Sequence, residues 1–404
     1  MPSAFSSILR DHRIRIPTLT LIALAFTFAS TMPYQSIIGI NELGVSDGDY
    51  SLLIFGAAII NVTTGLTLGI WSDRLGDRRP LVLALSVAGM LGFGMIYALR
   101  TPSVFILCVL LLIPMSNSTY SILFASVRAA TNTMDRGRAA SIASTVRALF
   151  SGSWALAPGL IGLYLVHSQS MTPAYGIAGL ASLTCFCLYF FFAEKTAKHE
   201  RLPAHQTGFF ASLGRILSPY VLVRIGSISL LLGLHRLSGA LSPLIIIHAA
   251  GGSVVDVGFM AGLVAFLEMP FMMMWGLLQR RFRGVHVLAA GTLIYCLYLT
   301  LLGFASAPWH VYALVLVNAC GASALLSVPI TYLQDLIADR PGLGSSLISV
   351  SSFMSNGVGA LIFAAGTTIT DYSGTAILAA MVGLCAIGML FFLESGKWQA
   401  RQLA

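Results

Sequence analysis

The stretch that decides the fold is Gly69-Ile-Trp-Ser-Asp73-Arg74-Leu-Gly76-Asp-Arg78-Arg79. A long apolar segment runs into it and another leaves at Pro80, so it is predicted to be a tight connection between two membrane helices. Its charged residues are too polar for lipid, and the loop must therefore lie at a membrane face. Its three arginines mark the cytoplasmic face, because positive charge is retained inside. This one loop sets the direction of every other span.

The composition excludes a soluble globular protein. The chain is 57% hydrophobic and 9% charged, with a mean hydropathy of +0.85, whereas soluble domains carry about 25% charged residues. The sequence pI near 9.3 is explained by basic loops on one membrane face and does not indicate a nucleic-acid partner. All six cysteines lie in apolar runs, which argues against a disulfide framework or a metal site. The basic N-terminal stretch leads directly into a full-length span, which is expected to remain as an anchor.

Twelve membrane spans are predicted, since each membrane helix needs about 20 mostly apolar residues. They lie at about 17–40, 49–70, 80–99, 103–126, 140–166, 173–193, 218–247, 255–278, 285–305, 309–333, 345–369 and 374–393. Of the 23 Lys and Arg residues, 19 fall in the segments predicted to be cytoplasmic, and Arg100 alone falls in an outside loop. Both termini are therefore predicted to be cytoplasmic.

The two halves of the chain repeat. A shift of 207 positions places Asp49 on Asp256, Asn61 on Glu268 and Gly69 on Gly276. A shift of 204 places Asp135-Arg136 on Asp339-Arg340. We therefore predict a six-helix bundle over residues 1–193, a cytoplasmic linker over 194–217, and a second six-helix bundle with a short tail over 218–404.

The loop pattern Gly-x-x-x-Asp-Arg-x-Gly, followed here by Arg78-Arg79, resembles the signature loop between helices 2 and 3 of the major facilitator superfamily. The resemblance implies an all-α membrane protein with the twelve-helix major facilitator fold. It also implies that one set of loop residues forms a cytoplasmic gate, namely Gly69, Asp73, Arg74, Gly76, Arg78 and Arg79. The second half departs from the pattern, because Arg280 stands where the first half has Asp73.

Glu268 is the strongest candidate for a functional residue within the predicted spans. It lies about midway along the eighth predicted span, in Val264-Ala-Phe-Leu-Glu268-Met-Pro270, without polar neighbours in the sequence. A carboxylate at that depth costs about 3 kcal/mol or more, so it needs a partner, a water-filled cavity or a proton. Proton coupling is the functional interpretation, and a structural ion pair or helix–helix hydrogen bond is the alternative.

Three arginines also fall within predicted spans. Arg147, in the fifth span, either has a central role or extends to the cytoplasmic interface. Arg236, with His235 beside it, lies deeper in the seventh span. It either faces a cavity, where it could pair with Glu268 or bind substrate hydroxyls, or lies at the outer interface. Arg224 is expected to anchor the inner end of that span.

Other polar side chains in the spans could bind a neutral, sugar-like solute, because amides and hydroxyls both donate and accept hydrogen bonds. Each could equally serve helix packing. The candidate substrate residues are Tyr34, Gln35, Asn61, Asn117, Trp154, His235, Asn318 and Asn356. Trp154 could stack on a pyranose ring or simply pack.

Other patterns bear on the energy source. The sequence has no phosphate-binding loop for ATP and no histidine pair on one helical face, so neither a cofactor nor a metal is expected. An ion gradient would have to drive transport. In the fifth span, Ser153-Trp-Ala-Leu-Ala157-Pro158-Gly159-Leu-Ile-Gly162 looks like a degenerate form of the antiporter motif of this superfamily.

Four stretches together resemble the bacterial sugar efflux transporters of the superfamily. They are Trp71–Arg79, Val146–Gly159, Leu267–Pro270, and Leu333 to Ser346. This resemblance spans the chain and implies proton-driven export of small sugars or glycosides, with Arg147 and Glu268 at matching charged positions.

The resulting hypothesis is a monomeric secondary transporter of the bacterial inner membrane that exports a small polar solute against inward proton flow and is not an enzyme. A multidrug antiporter is an alternative, with a cavity lined by Phe266, Met269 and Met272–Met274. A proton-coupled uptake symporter and a membrane-embedded binding or sensing protein are the others.

Overall fold

The computed structural model describes residues 4–75, 77–168, 170–194, 219–335 and 341–394. Gly76 of the loop motif and the central linker at 195–218 lie outside the described residues. The described ranges hold helices and connecting turns, without strands. The helices are α1 (Ala4–Arg10), α2 (His12–Thr31), α3 (Asp47–Leu75), α4 (Arg79–Leu99), α5 (Pro102–Leu107), α6 (Ile113–Asn117), α7 (Thr119–Thr131), α8 (Arg136–Leu165), α9 (Pro173–Phe192), α10 (Pro219–His248), α11 (Val254–Leu278), α12 (Gly284–Gly303), α13 (Pro308–Ala313), α14 (Val315–Asp335), α15 (Pro341–Ile369) and α16 (Tyr372–Glu394).

Short helical turns continue two of these helices. Met32–Tyr34, Gln35–Ile37 and Ile38–Glu42 extend α2, and Cys108–Leu112 joins α5 to α6. Each predicted span thus coincides with one helix or a run of helices. In the described ranges, ten stretches are long and apolar enough to cross a membrane. The all-helical membrane architecture is confirmed, while the count of twelve crossings stays a prediction.

The chain divides into two compact units. The first comprises residues 1–45 and 56–204, and the second comprises residues 46–55 and 205–404. The first turns of α3 belong to the second unit because their side chains pack there. Tyr372 donates a 3.0 Å hydrogen bond to Asp47, and the Tyr50 ring lies 5.9 Å from the Phe363 ring.

The internal packing of each unit follows one scheme. In the first unit, α2 packs against α8 and α9, and α9 packs against α4. In the second unit, α10 packs against α15 and α16, and α16 packs against α12. These are corresponding pairs if the first six spans are matched in order to the last six.

The starts of α3 and α11 are built alike, 207 residues apart. Ser46 Oγ donates to Asp49 at 2.7 Å and accepts from the Asp49 amide at 3.1 Å. In α11, Ser253 donates to Asp256 from its amide at 2.6 Å and from its hydroxyl at 2.8 Å. A serine followed three residues later by a carboxylate satisfies free amide groups at a helix start.

Two glycines bring α12 and α14 close together in the second unit. A Cβ on Gly321 would lie 2.8 Å from the Tyr295 backbone nitrogen, and one on Gly291 would overlap the Ala324 Cβ. Larger residues would push these helices apart, so small residues set the contact. This contact fixes the position of Tyr295, which belongs to the site described below.

The last helix of each unit ends at a glutamate held by basic residues. Glu194, directly after α9, lies 3.7 Å from Arg13 and 3.9 Å from His12. Glu394, at the end of α16, lies 3.0 Å from Arg224 and accepts a 2.7 Å hydrogen bond from Tyr332. Arg283 approaches the same carboxylate at 3.7 Å.

The expectation that Arg224 anchors the helix at the interface did not anticipate this ion pair. Arg224 is buried, and its guanidinium reaches the carboxylate at the end of α16 rather than the solvent.

Candidate functional site

A series of polar side chains joins three helices inside the second unit. His235 Nδ1 of α10 lies 3.4 Å from the Tyr295 hydroxyl of α12, and the Tyr295 and Tyr298 rings lie 5.4 Å apart. The Tyr298 hydroxyl is 2.9 Å from Ser242 Oγ, which is 3.0 Å from Ser238 Oγ. We call these five residues, together with Asn318, the polar series.

Asn318 of α14 enters the series through Tyr298, whose hydroxyl also interacts with Ser238 and Asn318. The helical repeat explains how residues distant in number meet here. His235, Ser238 and Ser242 are three and four residues apart, so they share one face of α10. Tyr295 and Tyr298 share one face of α12 for the same reason.

Glu268 lies on α11, which packs against α14, the helix that carries Asn318 of this series. Its side chain is partly exposed. Within the described residues it makes no hydrogen bond and no ion pair shorter than 4.0 Å. A carboxyl group in a membrane helix without a fixed partner is free to exchange a proton or to contact a solute.

The face of α11 that carries Glu268 is distinct from its exposed apolar face. The exposed face is formed by Leu263, Phe266, Pro270, Met273 and Leu277. At about 100° per residue, these positions form one stripe, and Glu268 points to the opposite side. The exposed apolar stripe suits lipid, so the carboxyl group is directed away from it.

Arg236 follows His235 on α10 and is exposed although it lies well inside a long helix. It makes no ion pair with Glu268 or with another carboxylate among the described residues. Its Cβ lies 3.2 Å from where a Cβ on Gly359 of α15 would be. The Arg236 side chain is thus exposed and, in the part of the chain that the structure describes, not neutralised by an ion pair.

Arg147 lies in the first unit, where it contacts aromatic side chains. Its guanidinium carbon is 5.8 Å from the centre of the Phe124 ring. Tyr120 lies 4.7 Å from Phe124 and 5.0 Å from Phe150, ring centre to ring centre. Trp154, one turn beyond Phe150 on α8, is partly exposed. We call Tyr120, Phe124, Arg147, Phe150 and Trp154 the aromatic cluster.

The remaining predicted substrate residues are dispersed. Tyr34 is fully buried and donates a 2.7 Å hydrogen bond to the Pro158 carbonyl, a contact that serves packing. Asn356 donates to the Ser352 carbonyl of its own helix at 2.7 Å. Gln35 and Asn117 are partly exposed, and Asn61 is exposed.

The loop motif is described in part. Gly69, Asp73 and Arg74 lie in the last turns of α3, and Gly76 is outside the described residues. Arg79 donates to the Phe190 carbonyl at 2.6 Å, and Arg78 donates to the Ala125 carbonyl at 3.4 Å. Both arginines thus tie α4 to other helices of the first unit.

Sequence reasoning missed the two tyrosines and two serines of the polar series and the rings around Arg147. The tyrosines could have been identified from their spacing, because Tyr295 and Tyr298 are three residues apart in an apolar span. Tyrosine hydroxyls within a membrane helix usually find a polar partner. The serines carry no such pattern, since small residues are common in membrane helices.

Comparison with known proteins identifies the family. The sequence profile of the Major Facilitator Superfamily matches residues 18–235. The chain belongs to the major facilitator superfamily. This membership, with the helical architecture, makes the protein a transporter and not an enzyme.

Relatives of this transporter extend over nearly the whole chain. A Deinococcus radiodurans protein, provisionally named a sugar efflux transporter, is 24% identical over 93% of this chain and 96% of its own length. Sugar efflux transporter B of Salmonella typhimurium is 26% identical over 78% of this chain and 79% of its own. The transporter thus resembles the sugar efflux family, as its four matching stretches had indicated.

Solved transporter structures share the fold. The crystal structure of the nucleoside transporter NupG superposes with a TM-score of 0.80 at 12% identity, covering 95% of this chain and 99% of that one. The similarity in sequence is too low to carry over a substrate.

Proposed function

We propose that the protein is a proton-coupled exporter of small sugars or glycosides that works by alternating access. The similarity to proteins named for sugar efflux, over 93% and 78% of this chain, supports the substrate class. We further propose twelve membrane spans with both termini cytoplasmic, a bacterial inner-membrane location and a monomer. The concentration of Lys and Arg on one face of the predicted topology supports that orientation.

The observation that carries proton coupling is the carboxyl group of Glu268, which has no hydrogen-bond or ion-pair partner among the described residues. It lies 12 residues beyond Asp256 at the start of α11, or about 18 Å along the helix axis. That depth is near the middle of a hydrocarbon core of about 30 Å. Protonation would remove a charge whose placement there costs about 3 kcal/mol or more. The two protonation states can therefore favour two different arrangements of the protein.

The polar series supplies groups for the proton and the solute. Tyr295, His235 and the serine hydroxyls can each donate and accept a hydrogen bond. Arg236 adds an exposed cation that can donate to sugar hydroxyls or lower the energy of a nearby carboxylate. In this mechanism Glu268 exchanges its proton in competition with solute bound beside Tyr295.

The aromatic cluster supplies a second type of surface. Tyr120 and Trp154 are at least partly exposed, and aromatic rings bind apolar faces such as the C–H face of a pyranose. Arg147 can donate hydrogen bonds to the hydroxyls at the edge of the same sugar ring. We propose this cluster as a contact surface for the same solutes.

The exposed apolar face of α11 supports a multidrug exporter less than it supports a sugar exporter. Phe266 and Met273 are 58% and 76% exposed and lie on the stripe opposite Glu268. Two of the apolar residues expected to line a drug cavity are therefore placed where lipid would contact them.

The experiment is transport in liposomes with a pH-sensitive dye inside and an imposed proton gradient. We expect sugar-dependent proton movement in the wild-type protein and its loss in Glu268→Gln, with sugar exchange retained. Glu194→Gln is the matched control, because it removes an exposed carboxyl group outside the helices and should leave coupling intact.

Other outcomes contradict the proposal at separate points. Full gradient-driven transport by Glu268→Gln would remove the coupling role. Proton movement with cationic drugs and not with sugars would favour the multidrug alternative. Coupling in the opposite direction would favour an uptake symporter.

A further inference from the structure

An open pocket of about 430 Å³ lies in the first unit, and none of its lining residues belongs to the polar series or the aromatic cluster. It is formed where α1 packs against α2 and α8. Its lining residues are Ser7, Arg10, Asp11, His12, Met134 and Arg138. Two arginines therefore share one concave surface with a single lining carboxylate, while His12 of the same surface lies 3.9 Å from the Glu194 carboxylate.

The contacts within the pocket leave much of its positive charge unneutralised. Arg138 Nη2 donates to Ser7 Oγ at 3.0 Å, which orients its guanidinium without compensating the charge. Asp11 accepts a 2.9 Å hydrogen bond from the Arg13 amide and so caps the start of α2. Arg10 is exposed and forms no ion pair with a carboxylate in the described part of the chain. The pocket is thus suited to an anion.

The helix beside the pocket has an exposed apolar face. Phe5 and Leu9 are 53% and 50% exposed, and their four-residue spacing puts them on one side of α1. Ile8 is buried in the core of the first unit, and Arg15 donates to the Leu9 carbonyl at 3.1 Å. The helix is therefore held against the protein with two large apolar side chains directed outward.

We propose that this pocket binds the phosphate of an anionic phospholipid, with Phe5 and Leu9 in contact with its acyl chains. Arginine suits this ligand because its planar guanidinium can bind phosphate through two hydrogen bonds. Basic residues beside an apolar helix face are typical of segments that lie at the membrane interface. The inference rests on the proposed position of this end of the chain at the cytoplasmic face, where anionic lipids attract basic segments. It does not depend on the substrate.

The test is lipid binding to the purified protein by native mass spectrometry, with phosphatidylglycerol and phosphatidylcholine titrated separately. We expect preferential binding of phosphatidylglycerol, weakened about 30-fold in Arg10→Gln/Arg138→Gln, since each basic residue near the surface contributes about a fivefold effect. The control is Arg280→Gln/Arg281→Gln, which removes the same charge from exposed positions of the second unit and should leave this binding unchanged.

Two further variants separate the contributions of charge, guanidinium geometry and chain contact. Arg10→Lys/Arg138→Lys keeps the charge but loses the planar guanidinium, so its affinity for phosphatidylglycerol should lie between that of the wild-type protein and that of Arg10→Gln/Arg138→Gln. Phe5→Ser/Leu9→Ser should weaken the binding of phosphatidylglycerol. It should leave unchanged the extent to which inorganic phosphate competes with the lipid for the pocket.

Three results would overturn the proposal. They are an unchanged affinity in Arg10→Gln/Arg138→Gln, an equal loss in the Arg280/Arg281 control, and full displacement of the lipid by millimolar inorganic phosphate, which would indicate a site for free anions. Because the measurement uses neither sugar nor a gradient, its failure would leave the proposed transport untouched.

Discussion

The two units end their last helices at the same kind of residue but place it in different surroundings. The Glu194 side chain is 61% exposed, and its partner Arg13 is 71% exposed. The Glu394 side chain is 14% exposed, and its partner Arg224 is 6% exposed. The repeat thus preserves a glutamate near basic residues from the start of the bundle, while burial decides how much that contact matters.

The difference teaches that corresponding ion pairs are not energetically equivalent. An exposed pair is screened by water and salt and contributes about 0–1 kcal/mol. A buried pair gains little over apolar residues of the same volume, but removing one partner leaves a buried charge uncompensated. The same glutamate-to-glutamine substitution should therefore lower the free energy of unfolding much more in the second unit than in the first.

The largest effect is expected for Glu394→Gln. It removes the charge that compensates Arg224, and breaking a buried pair costs about 3–5 kcal/mol. The free energy of unfolding should fall by about 3 kcal/mol, measured by denaturant titration in detergent with tryptophan fluorescence.

A second variant shows whether the uncompensated charge is the cause. Arg224→Leu/Glu394→Leu removes both charges and should be less destabilised than Glu394→Gln alone. If the double variant is instead the less stable of the two, the loss comes from packing, and the burial argument does not hold.

An intermediate effect is expected for Tyr332→Phe. It removes one hydroxyl that donates to Glu394 at 2.7 Å, and a hydrogen bond to a charged group contributes about 1.5–3 kcal/mol. The same titration should show a loss in that range.

The control for this variant is Tyr164→Phe, which changes a tyrosine that is 58% exposed on α8. It should leave the unfolding free energy nearly unchanged. Equal losses in both variants would mean that the Tyr332 contact contributes nothing specific.

The smallest effect is expected for Glu194→Gln. Its loss should not exceed about 1 kcal/mol. At about 1 M salt, where the screening length is about 3 Å, the difference from the wild-type protein should disappear. A loss as large as that of Glu394→Gln would erase the contrast between the units.

Much of the fold could be predicted because each membrane span is recognised from the hydrophobicity of its own consecutive residues. The shift of 207 that matched Asp49 with Asp256 also matches Ser46 with Ser253, and the structure shows the same serine–aspartate contact at both helix starts. The pairing of Arg224 with Glu394 could not be predicted, because 170 residues separate them and nothing local links them.

The candidate site could be predicted only where a residue is unusual for a membrane helix. Glu268, Arg236 and His235 stand out because charge and lipid are incompatible. Tyr298 and Ser242 do not, since either could pack or hydrogen-bond in any helix bundle. Their 2.9 Å contact depends on how α10 and α12 meet, which only the folded chain shows.

The matched starts of α3 and α11 also bear on inheritance. If one ancestral six-helix gene was duplicated, both copies retained the Ser-x-x-Asp sequence that sets where the helix begins. Twelve residues later the copies differ, with Asn61 in the first and Glu268 in the second. A retained helix start let one copy acquire or lose an acid without shifting its depth, so the duplicated chain has a neutral amide at this position in one half and an ionisable carboxyl group in the other.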